Sequence, residues 1–149
     1  MNIDCERIDW ENIFIAPDFS DCFQDLTVIG KVVSVYDGDS VKVIMPFQNR
    51  LYRFSSRLSG IDTPEIRSSC PLEKELAIKI RDLLSKKILN KLVIIKCKGL
   101  DKYGRLLVTL HMDGDEKTIN EWLIDENYAF EYNGNKKKSW SEFLKPKLK

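Results

Sequence analysis

A five-stranded β-barrel with helices, an α+β fold, is the architecture this 149-residue chain predicts, and three features predict it. Three runs rich in β-branched residues follow one another between positions 27 and 58, each cut off by a turn signal. One long amphipathic stretch then separates them from two further alternating runs.

The first run is TVIGKVVSVY, starting at Thr27 and ending at the Asp37-Gly38 turn. SVKVIMPF is the second, Gln48-Asn49 the next turn, and RLYRFSSRL the third, so the three form a meander. In CPLEKELAIKIRDLLSKKIL, Leu72, Leu76, Ile80, Leu83, Leu84 and Ile88 recur at helical spacing. Pro71 suits the first turn of that helix, and Glu73 suits its positive N-terminal end. KLVIIKCKG and RLLVTLHM read as the last two strands, DGD at 113–115 as a turn, and INEWLIDE as a short helix. The order is β-β-β-α-β-β-α, with the helix between the third and fourth strands, which is the order of an OB-fold.

A hydrophobic content of 43% over this length supports one domain with one core, and no segment is long and apolar enough to span a membrane. The opening MNIDCERIDWENIF is acidic where a secretory signal would be basic and then apolar, which predicts a cytoplasmic location. Cys5, Cys22, Cys70 and Cys97 are scattered without CxxC spacing, as reduced thiols rather than a zinc site or a disulfide framework. Trp10, Trp122 and Trp140 read as packing residues. The single histidine, His111, sits in an apolar strand, which argues against histidine-based hydrolysis and against Ser-His or Cys-His chemistry.

Charge is distributed unevenly. Residues 1–26 carry seven acids against Arg7, a balance of −6, so residues 27–149 carry +7 of the net +1. The stretch NKKKSWSEFLKPKLK supplies six lysines to that excess. We therefore divide the chain into an acidic N-terminal extension, 1–26, and a basic domain, 27–149, with a lysine-rich tail suited to a polyanionic partner.

Pairing the second and third strands across Gln48-Asn49 sets Asp39 opposite Arg57 or Leu58. Asp62 follows a few residues later, so Asp39 and Asp62 can meet at one rim of the barrel. Two converging carboxylates repel unless a cation or a proton lies between them. With only hard oxygen ligands at hand, the cation would be Ca²⁺ or Mg²⁺ rather than zinc or copper. Taken one at a time, DGD and IDTPE are equally good turns.

DGDS at 37–40, RLSGIDTPE at 57–65 and DKYGR at 101–105, in this order and at these separations, resemble the staphylococcal nuclease (thermonuclease) family. The resemblance runs from about Thr27 to Tyr132. It implies calcium bound by the carboxylates of Asp39 and Asp62 and a backbone carbonyl of Thr63, with Arg57, Glu65 and Arg105 as catalytic residues. Tyr103 matches a phosphate-contacting position, and Tyr128 and Tyr132 are candidates for a second. The implied activity is endonucleolytic hydrolysis of DNA and RNA phosphodiesters to 3′-phosphate ends, by a monomer, in a family whose members are often secreted. The loop after Glu65 is shorter than in the best-known member, and the acidic extension is additional.

The residue types suit that chemistry. Guanidinium groups donate paired hydrogen bonds to phosphate oxygens as charge builds, and Glu65, held close by Pro64, can take the proton of an attacking water. A catalytically silent module of the same fold, binding nucleic acid or protein, is the alternative; it would have no chemical need for all five of Arg57, Glu65, Arg105, Asp39 and Asp62. An unrelated oligonucleotide-binding OB module is a third reading, against which the combined motifs stand.

Overall fold

The computed structural model describes residues 3–134 and 138–144. Strands β1 (Thr27–Val35), β2 (Ser40–Phe47), β3 (Arg50–Leu58), β5 (Leu92–Leu100) and β6 (Leu106–His111) form a closed barrel in the order β1-β2-β3-β6-β5. All neighbours are antiparallel except β3 and β6, which run parallel. This is the predicted OB-fold. Alternation fills the barrel: along β2, Val41, Val43 and Met45 point inward and are buried while Lys42 points out.

Helix α1 (Pro71–Ile88) packs one face on the barrel core and has Pro71 at its start, as predicted. Its fully buried stripe is Ala77, Ile80, Leu84 and Ile88, whereas Leu72, Leu76 and Leu83 are only half-buried. Burying each of the three large side chains of that stripe is worth about 1.5–3 kcal/mol. Helix α2 (Ile119–Asp125) begins with a capping box, in which the Thr118 hydroxyl accepts from the Glu121 N–H and the Glu121 carboxylate returns the contact.

Three features go beyond the predicted order. Ile61–Asp62 (β4) pairs with Phe130–Glu131 (β7) in a two-residue ribbon, and Trp140–Leu144 forms a third helix, α3. Such short pieces carry too few residues to show a period. The ribbon is extended by the Tyr132 N–H, which donates to the Gly60 carbonyl at 2.9 Å. Buried Asn120 of α2 fastens the same corner, accepting from the Leu110 N–H and donating to the carbonyls of Ser59 and Val108.

The acidic extension divides in two. Phe19–Phe23 forms a 3-10 turn that lays Phe23 into the core, stacked on Phe47 at 4.7 Å between ring centroids and edge-on to Phe54. Ser20 accepts from the Leu100 N–H at 2.8 Å and ties this turn to β5. Upstream, Trp10, Phe14 and Ile15 are exposed, so Trp10 is a surface residue and not the packing residue expected. Trp140 is buried as expected, stacked on Phe130. Of the lysine-rich tail, Lys138 is described; Lys136, Lys137, Lys145, Lys147 and Lys149 lie outside the described residues.

Candidate active site

The β2–β3 register resolves the open alternative: Ser40 pairs with Arg57, so Asp39 lies across from Leu58, whose N–H donates to the Asp39 carbonyl at 2.8 Å. The side chains of Asp39 and Arg57 then meet diagonally, with Nη2 to Oδ2 at 3.4 Å and both groups buried. Nη1 of Arg57 donates to the carbonyls of Leu58 and Ile61, which fixes the guanidinium plane. The Tyr132 ring backs it, 5.7 Å from centroid to guanidinium carbon.

Gly38 lets the DGD turn reach the IDTPE segment. A Cβ at that position would come within 2.9 Å of Thr63 and of Ile80 on α1, so any other residue would push the two segments apart. Asp62 and Thr63 are consequently buried next to the turn that carries Asp39. Within the turn, the Asp37 carboxylate accepts from the Asp39 N–H at 3.1 Å, and the Asp39 carboxylate accepts from the Ser40 hydroxyl.

Arg105 is delivered by the turn between β5 and β6. Asp101 organises it, accepting from the N–H groups of Tyr103 and Arg105 at 2.9 Å and from Nε of Arg105 at 2.8 Å. Burial pushes the Asp101 carboxyl up, but these hydrogen bonds and the arginine charge outweigh it and hold the group below its ordinary range. Gly104, at φ +81°, closes the turn. The Tyr103 ring lies 5.6 Å from the Arg105 guanidinium, so each arginine of the site has a tyrosine beside it.

A cleft of about 470 Å³ gathers Asp39, Arg57, Glu65 and Arg105 from four separate segments. Asp62 and Thr63 are not among its lining residues. A second cleft, of about 1010 Å³, is lined by Arg57 and Arg105 together with Tyr103, Tyr132, Lys98 and Lys102. Tyr128 lines neither; its ring packs edge-on against Trp122 and on the core.

Two residues of the site escape a reading of the sequence. Asp37 is buried and lines the smaller cleft, its carboxyl raised to about 7 by burial, then by the charge and hydrogen bonding of Asp39, with Glu65 adding to the repulsion. Glu73, expected only as an acid near a helix start, is buried and holds the loop that carries Glu65. Its carboxylate accepts from the Glu65 N–H at 2.8 Å and from the Ser68 hydroxyl at 2.9 Å, while Ser68 accepts from the Cys70 N–H. The signal for Glu73 was present, since 73, 77, 80, 84 and 88 share one helix face and the acid stands in phase with the apolar stripe.

Among the described residues, no group of three or more His, Cys, Asp or Glu side chains is placed to hold a metal ion by itself. Asp39, Asp62 and the Thr63 carbonyl offer two carboxylates and one neutral oxygen, a hard-oxygen set of the kind Ca²⁺ or Mg²⁺ accepts with further ligands from water or substrate. Among the described residues, two buried polar atoms here, Thr63 Oγ1 and Arg57 Nη2, find no hydrogen-bond partner, the arginine atom having only its 3.4 Å ion pair with Asp39. Buried polar groups are almost always satisfied, so these two fit a place completed by a charged, oxygen-rich ligand.

None of the curated proteins compared with the chain matches it. A family model described as staphylococcal nuclease homologue matches residues 55–147, which takes in Arg57, Asp62, Thr63, Glu65 and Arg105 but begins after Asp39. That match covers more than half of the chain, and together with the closed barrel and the cleft it shows that the protein belongs to the staphylococcal nuclease homologue family.

Proposed function

We propose that this chain is a calcium-dependent endonuclease that hydrolyses phosphodiester bonds in DNA and RNA, leaving 3′-phosphate ends. The observation that carries the reading is the meeting of Asp39, Arg57, Glu65 and Arg105 in one cleft, with both guanidinium groups held in place by carboxylates or carbonyls. A binding module would gain nothing from a carboxylate aimed among phosphate-binding arginines.

Asp39, Asp62 and the Thr63 carbonyl would hold the cation, which when bound neutralises phosphate charge and orients water. Arg57 and Arg105 donate to the phosphate oxygens and strengthen those bonds as negative charge accumulates. Glu65 accepts a proton from water as its oxygen attacks phosphorus. The bond from phosphorus to the 5′-oxygen breaks, that oxygen takes a proton from solvent, and the phosphate stays on the 3′ side. Tyr103 and Tyr132, beside the two arginines and in the larger cleft, are the candidate substrate contacts. One chain supplies every group named, consistent with a monomer. Among the described residues, no helix is long and apolar enough to cross a membrane.

The test is purified protein on plasmid DNA and on RNA with calcium, magnesium or chelator. Cleavage in calcium that chelator abolishes is expected. Equal cutting with chelator, or faster cutting in magnesium, would overturn the calcium assignment, and binding without cleavage under every condition would favour the silent module.

A further inference from the structure

The two clefts share two lining residues, Arg57 and Arg105, and have no other lining residue in common. Each is the size of a small-ligand pocket. From this we infer that the smaller cleft, besides gathering the reacting groups, holds a second nucleotide subsite, where Tyr36, Lys42 and Arg67 take the neighbouring nucleotide of a single strand that crosses the arginine pair.

Its floor is the outer face of the barrel. Ser34, Lys42 and Ser55 are cross-strand neighbours on β1, β2 and β3, so the Lys42 amine rises from a surface of small hydroxyl side chains rather than bulky ones. Arg67 comes from the loop after Glu65, and Tyr36, half-exposed, from the end of β1. Neither Lys42 nor Arg67 makes an ion pair among the described residues, in contrast to Arg57 and Arg105. Asp37, Asp39 and Glu65 crowd the cleft as well, and a polyanion passing them needs cations beyond them. An exposed aromatic ring beside two unpaired cations offers base stacking and backbone contact, the elements of strand binding that does not depend on sequence.

The inference rests on the nuclease reading only for which bond lies at the arginines; binding tests it without turnover. In a Glu65→Gln background with calcium, a fluorescein-labelled single strand of about ten nucleotides and a single mononucleotide would be titrated at about 50 and 200 mM salt. Two lost phosphate contacts lower the salt slope for a single strand by about 1.4, so Lys42→Gln with Arg67→Gln should shrink the affinity lost between those salts by about sevenfold. Mononucleotide affinity should not change. Tyr36→Ala should weaken the ten-nucleotide strand by about fivefold or more, again sparing the mononucleotide. An unchanged salt slope, or equal weakening of both ligands, would overturn the subsite. All three positions are surface side chains, and melting temperatures equal to the parent's would verify folding. Failure of plasmid cleavage with an intact length-dependent effect would reject the catalytic reading and leave the subsite standing.

Discussion

Asp37→Asn should make the metal-free protein more stable at pH 8 and leave it nearly unchanged at pH 4. Asp37 is buried among like charges, and its carboxyl is raised from 3.8 to about 7. Between those values the folded state keeps the proton and the unfolded state has lost it, so the unfolded state binds fewer protons and stability falls as pH rises. At about 1.4 kcal/mol for each pH unit of displacement, the ceiling is about 4 kcal/mol, reached above pH 7 and absent below 3.8. The open mouth of the cleft admits water, which brings the expected gain at pH 8 to about 1–3 kcal/mol. Asparagine keeps the oxygen that accepts from the Asp39 N–H, so the turn is retained while the charge is removed. Urea unfolding of both proteins in chelator at the two pH values is the assay, and their difference cancels the carboxylates they share. Adding calcium should narrow the gap, because a cation offsets the same repulsion. A variant that is equally destabilised at both pH values would refute the electrostatic account and make Asp37 a plain turn residue.

Arg105→Ala should lower turnover by about two orders of magnitude while the protein stays folded, and Glu65→Gln should depress turnover with calcium and substrate binding kept, both read by steady-state cleavage and equilibrium binding. Arg57→Ala should lower turnover as far and also destabilise the fold by about 3–5 kcal/mol, because it leaves Asp39 buried without its partner. Glu73→Ala should release the Glu65 loop and lower kcat with little change in KM, whereas Glu73→Gln should recover most of it, its amide oxygen accepting from Glu65 and its amide nitrogen donating to Ser68. Equal losses in the two Glu73 variants would assign the effect to charge. Deleting residues 1–17 should leave the melting temperature nearly unchanged and tighten nucleic-acid binding at low salt, whereas deleting 1–26 removes Phe23 and should cost about 3–5 kcal/mol of stability in urea unfolding.

Most of the barrel and the cores of the three motifs were legible because they rest on strong local signals: β-branched alternation, Asp-Gly and Gln-Asn turns, and a helical period across Pro71–Ile88. What stayed hidden had a physical reason in each case. The β4–β7 ribbon has two residues per strand, fewer than one full alternation, and is held by Asn120 and the Tyr132 N–H, contacts that no short window contains. Phe23 stands in a segment that mixes aromatics with acids and so could pack on the barrel, but its place there depends on Phe47 and Phe54 from another part of the chain. Asp37 looks like half of a turn, because turn chemistry and site chemistry ask for the same residue type. Gly38 decides between them, since a plain turn there would tolerate a Cβ, and this one cannot without striking Thr63.

Glu73 shows how such a residue can be found beforehand. An acid in the first helical turn is explained by the dipole alone, so its type raises no question. Its phase does: four residues before Ala77, it continues the stripe of Ile80, Leu84 and Ile88 toward the core, where an unpaired carboxylate would be expensive. Such an acid needs donors, and the candidates within reach are the N–H groups and hydroxyls of the loop that enters the helix. That loop carries Glu65. Few residues separate Glu65 from Pro71, and within that stretch Ser68 donates to Glu73 and accepts from the Cys70 N–H. The length of the loop and the burial of Glu73 are thus one feature: a short connection can hold the catalytic candidate still if the helix it enters turns an acceptor back toward it.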